Sequence, residues 1–155
     1  MLKKGQKAPS FSLEDKDGNV FGIKDKDCAH TVLFFYPKDN TPGCTIEAKE
    51  FSDMATKFKR QKIRLIGISG GDAKSKTKFC EKHELHVTLV SDSDFKVSEA
   101  YGVYGEKKFM GRVFNGIHRA TFVVNSAGTI EHVFEKVKPA GHALEVLEVI
   151  KALRK

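Results

Sequence analysis

Cys44 stands out because of what precedes and follows it along the chain. The apolar run Thr31–Tyr36 predicts a buried strand, a short stretch with two prolines and one glycine ends it, and a helical pattern begins near Cys44. The sulfur would therefore lie in the first turn of a helix, where unpaired N–H groups and the positive end of the helix dipole favour a thiolate over a thiol. Because the thiolate is the nucleophilic form of cysteine, the pattern predicts a reactive side chain.

Pro37, Thr41 and Cys44 have the spacing P-x-x-x-T-x-x-C. Pro37 has no N–H group to offer and can shield the floor of a pocket. The Thr41 hydroxyl can accept a hydrogen bond from a substrate hydroxyl, or donate one to an oxygen or a thiolate. Together with the N–H groups of Gly43 and Cys44, this would surround a sulfur with donors, which suits the breaking of an O–O bond. An inert buried thiol and a simple turn threonine are the structural alternatives.

The other cysteines and the histidines do not suggest a metal site. The chain has three cysteines, Cys28, Cys44 and Cys80, and an odd number without a secretory signal argues against a secreted disulfide framework. They include no CxxC pair, which argues against a zinc knuckle or a thioredoxin-type dithiol. His83 and His86 lack an obvious cysteine or carboxylate to join them, so two surface histidines near a helix end are expected. We therefore expect neither a metal nor another cofactor.

Length and composition favour a single domain over residues 1–155. Of the 155 residues 40% are hydrophobic and 30% are charged, which is typical of a globular chain with one buried core. The chain has no run of about 20 apolar residues and no secretory pattern, so we expect a cytoplasmic protein without membrane association. The net charge is +7, and the lysines are spread along the chain and interleaved with Asp and Glu. This distribution favours a solvated basic surface over nucleic-acid binding.

Apolar periodicity predicts an α/β fold that could position Cys44. Two short strands within residues 9–23, joined by an Asp-Gly turn, predict an N-terminal hairpin. Strands that alternate with helices imply a partly parallel sheet, to which a late hairpin adds antiparallel strands. Further strands are expected at 31–36, 63–69, 87–91, 120–124 and 129–134, and helices at 43–60, 73–84, 94–101 (capped by Asp94) and 141–154, with 102–111 irregular.

The stretch from Phe35 to Ala48, FYPKDNTPGCTIEA, resembles the active-site motif of the peroxiredoxins. In detail it resembles their bacterioferritin-comigratory, or peroxiredoxin Q, branch. The resemblance covers nearly the whole chain and implies a thioredoxin-like fold with an N-terminal β-hairpin and a mixed central sheet flanked by helices. Further segments resemble the family in the same order along the chain: 5–9, 100–103 with 105–108, and 116–122.

This resemblance implies an enzyme that reduces hydrogen peroxide and organic hydroperoxides with Cys44 as the peroxidatic cysteine, which becomes a sulfenic acid. Arg119 matches the position of the family's active-site arginine, and its permanent charge could hold Cys44 as a thiolate and stabilise an oxyanion. Pro37 and Thr41 would shape the pocket, and Glu47, one turn into the helix, would hold Arg119 in place. The alternative for Arg119 is an ordinary surface residue.

The resemblance also implies a route by which the sulfenic acid is resolved. One subgroup has its resolving cysteine five residues after the peroxidatic one, but Lys49 occupies that position here. Another subgroup uses a cysteine on the following helix, which makes Cys80 the candidate, with a buried core cysteine as the alternative. A Cys44–Cys80 bridge needs Cα atoms within about 7 Å, so we expect both helix regions to unwind locally. Thioredoxin would reduce this disulfide, and Cys28 would be structural or incidental.

The residues leave two other functions open. A one-cysteine peroxidase would be resolved by a small thiol such as glutathione, with Cys80 structural. A redox-sensing or holdase-like interaction protein could use the same fold and its basic surface. We expect a monomer, with a weak dimer as the alternative, because the sequence shows no cysteine-bearing C-terminal extension that could form an intersubunit disulfide. The preferred peroxide is not predicted.

Overall fold

The computed structural model describes residues 1–25 and 27–155, which form a mixed β-sheet flanked by helices. The strands are β1 (Leu13–Glu14), β2 (Val20–Phe21), β3 (His30–Phe35), β4 (Ile63–Ser69), β5 (Thr88–Ser91), β6 (Tyr104–Phe109), β7 (Arg112–Ile117), β8 (Ala120–Asn125) and β9 (Ile130–Phe134). The helices are α1 (Pro42–Asp53), α2 (Ala55–Arg60), α3 (Ala73–His83), α4 (Lys96–Ala100) and α5 (His142–Leu153).

The central strand β3 is buried along its whole length. The sheet has the order β5-β4-β3-β8-β9, in which β3 is parallel to β4 and antiparallel to β8. A strand covered on both faces has no solvent-facing positions, which explains why its sequence shows no polar alternation. Phe35 lies opposite Ala120, so the end of β3 and the start of β8 meet at one edge of the sheet. The segments that carry Cys44 and Arg119 adjoin this edge.

Alternate residues of β3 divide the interior into two apolar clusters. Val32 and Phe34 pack with residues of α1, α2, α3 and α5, whereas Leu33 and Phe35 pack with residues of α4 and the β1–β2 hairpin. Burial of a large apolar side chain contributes about 1.5–3 kcal/mol, so both faces of β3 stabilise the sheet. Cys44 and Cys80 both belong to the first cluster.

The helix predicted over 43–60 is interrupted at Met54, so this prediction is wrong in part. α1 and α2 are separated by that one residue. Hydrogen bonds continue across the interruption, because Met54 N–H donates to Glu50 O and Phe58 N–H donates to Met54 O. Neither proline nor glycine occurs at the break, so none of the usual sequence signals for a helix break reveals it.

Residues 102–111 were expected to be irregular, and the structure corrects this, because β6 and β7 form a hairpin. Its turn is Met110-Gly111, with φ angles of 50° and 77°. Two-residue turns with positive φ at both positions normally carry Asn or Asp before Gly, so Met110 conceals the turn signal. Both strands are largely polar and exposed, and they lack the apolar alternation that reveals a strand.

The helix predicted over 94–101 is shorter, and two carboxylates accept from its first backbone N–H groups. Asp94, the predicted cap, accepts a hydrogen bond of 3.2 Å from Lys96 N–H, and Asp92 was not predicted. Asp92 accepts hydrogen bonds from the backbone N–H groups of Val97 and Ser98. The strands of the N-terminal hairpin are shorter than predicted, but its antiparallel pairing is confirmed. The remaining strands and helices are confirmed to within one residue at each end. No helix within the described ranges is long and apolar enough to cross a lipid bilayer.

Candidate active site

The loop between β3 and α1 is held by buried hydrogen bonds. Asp39 lies inside this loop and accepts a hydrogen bond of 2.6 Å from the hydroxyl of Tyr36. A carboxylate is buried without a large loss of stability only when such partners replace its water. The loop therefore has a defined conformation where it reaches Cys44, whose side chain is almost wholly buried.

The start of α1 leaves backbone donors around Cys44. Pro42 occupies the beginning of the helix, where its fixed φ is suitable and its missing N–H group has no helical partner to lose. The helical hydrogen bond from Thr45 N–H to Thr41 O is the one that closes the first turn. The N–H groups of Gly43 and Cys44 precede that bond, so the helix leaves them unpaired. The predicted position of Cys44 in a first helical turn is confirmed.

Arg119 directly precedes β8 and reaches Cys44 because β8 begins beside the end of β3. Its Nη2 atom lies 3.4 Å from the sulfur of Cys44. Its Nη1 atom donates a hydrogen bond of 2.7 Å to Glu47 Oε1. A Cβ atom at position 43 would lie 3.1 Å from Nη2, so Gly43 leaves the space that the guanidinium occupies. The structure thus brings together three of the residues that the sequence singled out.

Burial and neighbouring charges act in opposite directions on the pKa values of Glu47 and Arg119. Burial raises the pKa of Glu47 to about 7, although the charge and the hydrogen bond of Arg119 act to lower it. Burial lowers the pKa of Arg119, but Cys44 and Glu47 more than offset this effect, and the net pKa is raised. Burial dominates at Glu47 because its side chain has no exposed surface, whereas the Arg119 side chain keeps 18%. The guanidinium therefore stays charged.

One oxygen of Glu47 faces the interior without a hydrogen bond. Its Oε2 atom has no partner among residues 1–25 and 27–155. A buried carboxylate oxygen without a donor disfavours the ionised form, which agrees with the raised pKa of this group. A proton on Oε2 would leave Oε1 free to accept from Arg119.

The Thr41 hydroxyl has a defined role within its own loop. It donates a hydrogen bond of 2.8 Å to Lys38 O. Because the hydroxyl has a single proton, its remaining capacity is as an acceptor. Of the hydrogen-bond roles predicted for Thr41, acceptance from a substrate hydroxyl is the one that this geometry leaves available.

Pro37 lies where β3 leads into the loop. Among the described residues, the hydrogen bonds that connect Cys44, Arg119 and Glu47 do not include Pro37. Its predicted role at the floor of the Cys44 pocket stays a prediction. Pro37 lines a surface pocket together with Lys38, Asp39, Gly70, Gly71, Ser75 and Phe95.

Cys80 lies in the last turn of α3 and is 8% exposed. Burial raises the pKa of the Cys80 thiol, while Lys16 and Lys76 act to lower it. All three cysteines are free thiols. Cys28 is only half-buried, and burial together with Asp25 raises the pKa of its thiol.

Sequence reasoning did not identify Lys107, which lies on β6 near the site. Its ammonium donates a hydrogen bond of 2.9 Å to Ile117 O, two residues before Arg119. Burial and Arg119 lower the pKa of Lys107, while Cys44 acts to raise it. Recognition of the turn at residues 110–111 would have placed Lys107 on a strand beside the segment that leads to Arg119, but its burial and its contact with Ile117 O depend on the folded chain.

Comparison with known proteins identifies the class of this chain. The AhpC/TSA family profile matches residues 4–133. Peroxiredoxin Bcp of Escherichia coli K12 is 41% identical over 150 residues, which cover 97% of this chain and 96% of that protein.

Solved structures give the same result. The bacterioferritin comigratory protein of Xanthomonas campestris superposes with a TM-score of 0.86 at 34% identity, over 94% of this chain and 92% of that one. The PrxQ of Xylella fastidiosa superposes with a TM-score of 0.91 at 32% identity, over 100% and 99% of the two chains.

These similarities define a peroxiredoxin, and they confirm the predicted thioredoxin-like fold. Peroxiredoxins are thiol-dependent peroxidases, and this activity agrees with a buried sulfur in contact with a charged guanidinium. The chain belongs to the AhpC/TSA family, in its bacterioferritin-comigratory, or peroxiredoxin Q, branch.

Proposed function

We propose that this peroxidase reduces hydrogen peroxide and organic hydroperoxides through Cys44. The thiolate attacks one peroxide oxygen, the O–O bond breaks, and its electron pair leaves with the other oxygen, which takes up a proton to give water or an alcohol. The sulfur is oxidised by two electrons to a sulfenic acid, and the peroxide is reduced by two. The 3.4 Å contact between Arg119 Nη2 and the Cys44 sulfur is the observation that carries this proposal.

Arg119 acts on both the reactant and the transition state. A permanently charged guanidinium beside the sulfur favours the thiolate, and it stabilises the negative charge that develops on the departing oxygen. Glu47 positions Arg119 through its 2.7 Å hydrogen bond. Because burial raises the pKa of Glu47 to about 7, this side chain is partly neutral near pH 7 and then orients the guanidinium without cancelling its charge.

The substrate is held by groups at the start of α1. Thr41 has an oxygen available to accept a hydrogen bond from the hydroperoxide O–H group, since its own proton is donated to Lys38 O. The unpaired N–H groups of Gly43 and Cys44 stabilise the peroxide oxygens, and Pro37 shields the pocket. The Xanthomonas campestris relative is described as reducing alkyl peroxides, which supports organic hydroperoxides as one class of substrate.

Cys80 then resolves the oxidised cysteine. The Cys80 thiol loses its proton and its sulfur attacks the sulfenic sulfur of Cys44. The S–O bond breaks, a disulfide forms, and the leaving hydroxyl takes up one proton and departs as water. The two residues share one apolar cluster, which supports their approach. The first turn of α1 and the last turn of α3 open for this step, and helix ends open at a much lower free energy than the whole protein.

A thioredoxin-type dithiol reduces this disulfide and regenerates both thiols. Exchange begins with a thiolate of the reductant, forms a mixed disulfide, and ends with the disulfide on the reductant. A reducing compartment is required for repeated turnover, so we place the protein in the cytoplasm. We propose a monomer, because the site draws Cys44, Arg119 and Glu47 from one chain.

Peptide mapping after one equivalent of hydrogen peroxide tests the proposal. Reduced protein is oxidised, quenched with an alkylating reagent and digested, and the expected product is a Cys44–Cys80 disulfide. Cys80→Ser should keep the first oxidation of Cys44 but lose turnover with thioredoxin. Cys28→Ser is the matched control, and it should retain both.

The same variants distinguish the alternatives. Undiminished thioredoxin-dependent turnover of Cys80→Ser would show that resolution does not use Cys80. Turnover of that variant with glutathione alone would identify a one-cysteine peroxidase. A redox-sensing or holdase role would be favoured if Cys44→Ser kept the cellular function of the protein.

A further inference from the structure

Lys76 is a wholly buried lysine that the peroxide chemistry does not use. Its side chain has 0% exposed surface, and its ammonium forms an ion pair of 2.9 Å with Asp39, whose side chain keeps 3%. The same ammonium donates to Ser69 Oγ at 2.8 Å and to Gly70 O at 2.7 Å. Three acceptors satisfy the three N–H bonds of the ammonium. A buried lysine is rare without such partners, so the site is specific for a cation.

The Asp39–Lys76 pair joins the two segments that must move during resolution. Asp39 belongs to the loop that leads into α1 and Cys44, and Lys76 lies on α3, one turn before Cys80. Ser75, also on α3, donates a second hydrogen bond of 2.7 Å to Asp39. The Asp39 carboxylate therefore attaches α3 to the loop between β3 and α1, which we call the peroxide-binding loop. Phe79 of α3 also packs against Tyr36 at the start of this loop.

An ion pair is a suitable attachment for a helix that has to detach. Burial lowers the pKa of Lys76 while Asp39 acts to raise it, so each charge depends on the other inside the protein. When the pair opens, both groups regain hydration, which offsets much of the lost attraction. Apolar side chains regain nothing comparable on exposure to water. The pair thus gives a defined closed state that can still open.

We propose that Lys76 is a positioning residue for disulfide formation: through Asp39 it holds the helix of Cys80 against the peroxide-binding loop, and its release limits how fast Cys80 reaches Cys44. This inference rests on the proposed function of Cys80. It predicts a competition, because sulfenic Cys44 in the closed state can react with a second peroxide. In that reaction the sulfur gains a second oxygen and becomes a sulfinic acid, and the peroxide leaves as water or an alcohol.

Three variants test the role of Lys76. Lys76→Met removes the cation and leaves Asp39 without its counter-ion, which should favour the open state. Ser75→Ala removes one hydrogen bond and is a milder second variant that covers a failure of Lys76→Met to fold. Lys74→Met, an exposed lysine on the same helix, is the matched control.

The first measurement reports opening independently of catalysis. Each variant is combined with Cys28→Ser and Cys44→Ser, and the alkylation rate of Cys80 in the reduced protein is followed by mass spectrometry. We expect alkylation at least about tenfold faster in Lys76→Met, about threefold faster in Ser75→Ala and unchanged in Lys74→Met. Amide exchange should accelerate in α3 more than in β3 and β8, whereas an equal acceleration everywhere would indicate general destabilisation and overturn the inference.

The second measurement uses rapid-quench oxidation of variants that retain Cys44 and Cys80. The rate of disulfide formation divided by the rate of Cys44 oxidation should increase at least about fivefold in Lys76→Met, with less sulfinic acid at excess peroxide. If this ratio of rates is the same in Lys76→Met and Ser75→Ala as in the wild type, this inference is overturned while the proposed role of Cys80 stands. If the wild type forms no Cys44–Cys80 disulfide, the proposed role of Cys80 fails and this inference fails with it.

Discussion

Cys44 and Cys80 are the same residue type in one apolar cluster, but they lie at opposite ends of their helices and beside different charged groups. Cys44 lies at the start of a helix and within 3.4 Å of Arg119 Nη2. Cys80 lies near the end of a helix, where the carbonyl groups point, and its own carbonyl accepts from Leu85 N–H. Helix dipoles favour an anion at the first position and disfavour it at the second.

The difference supports the separate roles that we propose for these two buried thiols. Burial raises the pKa of Cys80, so this residue remains a thiol while the helix is closed. A guanidinium and the N–H groups at the start of α1 lie around Cys44, where we propose that they stabilise the negative charge of the reaction. A resolving thiol that was equally activated in the closed state would itself compete for peroxide. The contrast between the two sites can be tested in four ways.

Exchange of each thiol for serine should have the largest effect. Without a reductant, Cys80→Ser should consume one equivalent of peroxide at the wild-type rate, whereas Cys44→Ser should react at least about 10³-fold more slowly. The rate is measured from the peroxide that remains in samples quenched at successive times. Rapid stoichiometric consumption by Cys44→Ser would contradict the assignment of the two roles.

Loss of the guanidinium should have the next largest effect. Arg119→Met should lower the second-order rate constant for Cys44 oxidation by about 10²- to 10³-fold, because one donor and one charge are lost at the developing oxyanion. The rate constant can be measured by rapid quench and mass spectrometry. Arg112→Met, an exposed arginine on β7, is the control and should react normally. If alkylation of Cys80 changed as much as Cys44 oxidation, the effect of Arg119 would not be local.

The pH dependence of stability should report the burial of Glu47. Because the pKa of Glu47 in the folded protein is about 7, against an ordinary value of 4.5, the protonated carboxyl stabilises the fold below about pH 4.5 and this contribution is lost as the pH rises through 7. Glu47→Gln should remove this loss, which is on the order of 3 kcal/mol.

The comparison for Glu47 is best made with Cys44→Ser in both proteins, which removes the thiol beside Arg119. Urea unfolding of Cys44→Ser and of Cys44→Ser/Glu47→Gln at several pH values gives the difference in free energy. A difference that stayed constant between pH 4.5 and 7 would show that folding does not raise the pKa of Glu47.

The smallest expected effect concerns the end of α3 near Cys80. Glu84 has a φ angle of 50°, a left-handed conformation that is unfavourable for residues with a Cβ atom. Glu84→Gly should increase the free energy of unfolding by up to about 1 kcal/mol. Glu81→Gly, an exposed position inside the same helix, should decrease it by about 1 kcal/mol. Urea titrations of reduced protein measure both, and equal signs would contradict the strain at Glu84.

Much of the fold was predictable because its signals are local. The strand at 63–69 and the final helix could be read from runs and stripes of apolar residues, and both are confirmed. The β6–β7 hairpin was missed because its strands are polar and its turn uses Met110, so no local pattern distinguishes it from a loop. The interruption at Met54 was missed for a similar reason, since the apolar stripe from Phe51 to Phe58 continues through it.

The candidate site also combines features that the local sequence predicts with contacts that only the folded chain creates. Cys44 could be identified from the strand, the prolines and the helix that surround it in sequence. The contacts of Arg119 with Cys44 and Glu47 depend on the antiparallel pairing of β3 with β8, which joins residues more than 70 positions apart. Lys107 and the Asp39–Lys76 pair were not identified, because a lysine among many lysines carries no sign of burial until the chain is folded.

The amino-acid sequence by itself determined that Cys44 lies in the first turn of a helix that follows a buried strand, because propensity, capping and apolar periodicity act over a few neighbouring residues. Only the tertiary structure decided which charges approach that sulfur, which oxygen of Glu47 stays unpaired, and how Lys76 attaches the helix of Cys80. Those features depend on strand register and on the burial of charged groups, and both arise from contacts between segments that are distant along the chain.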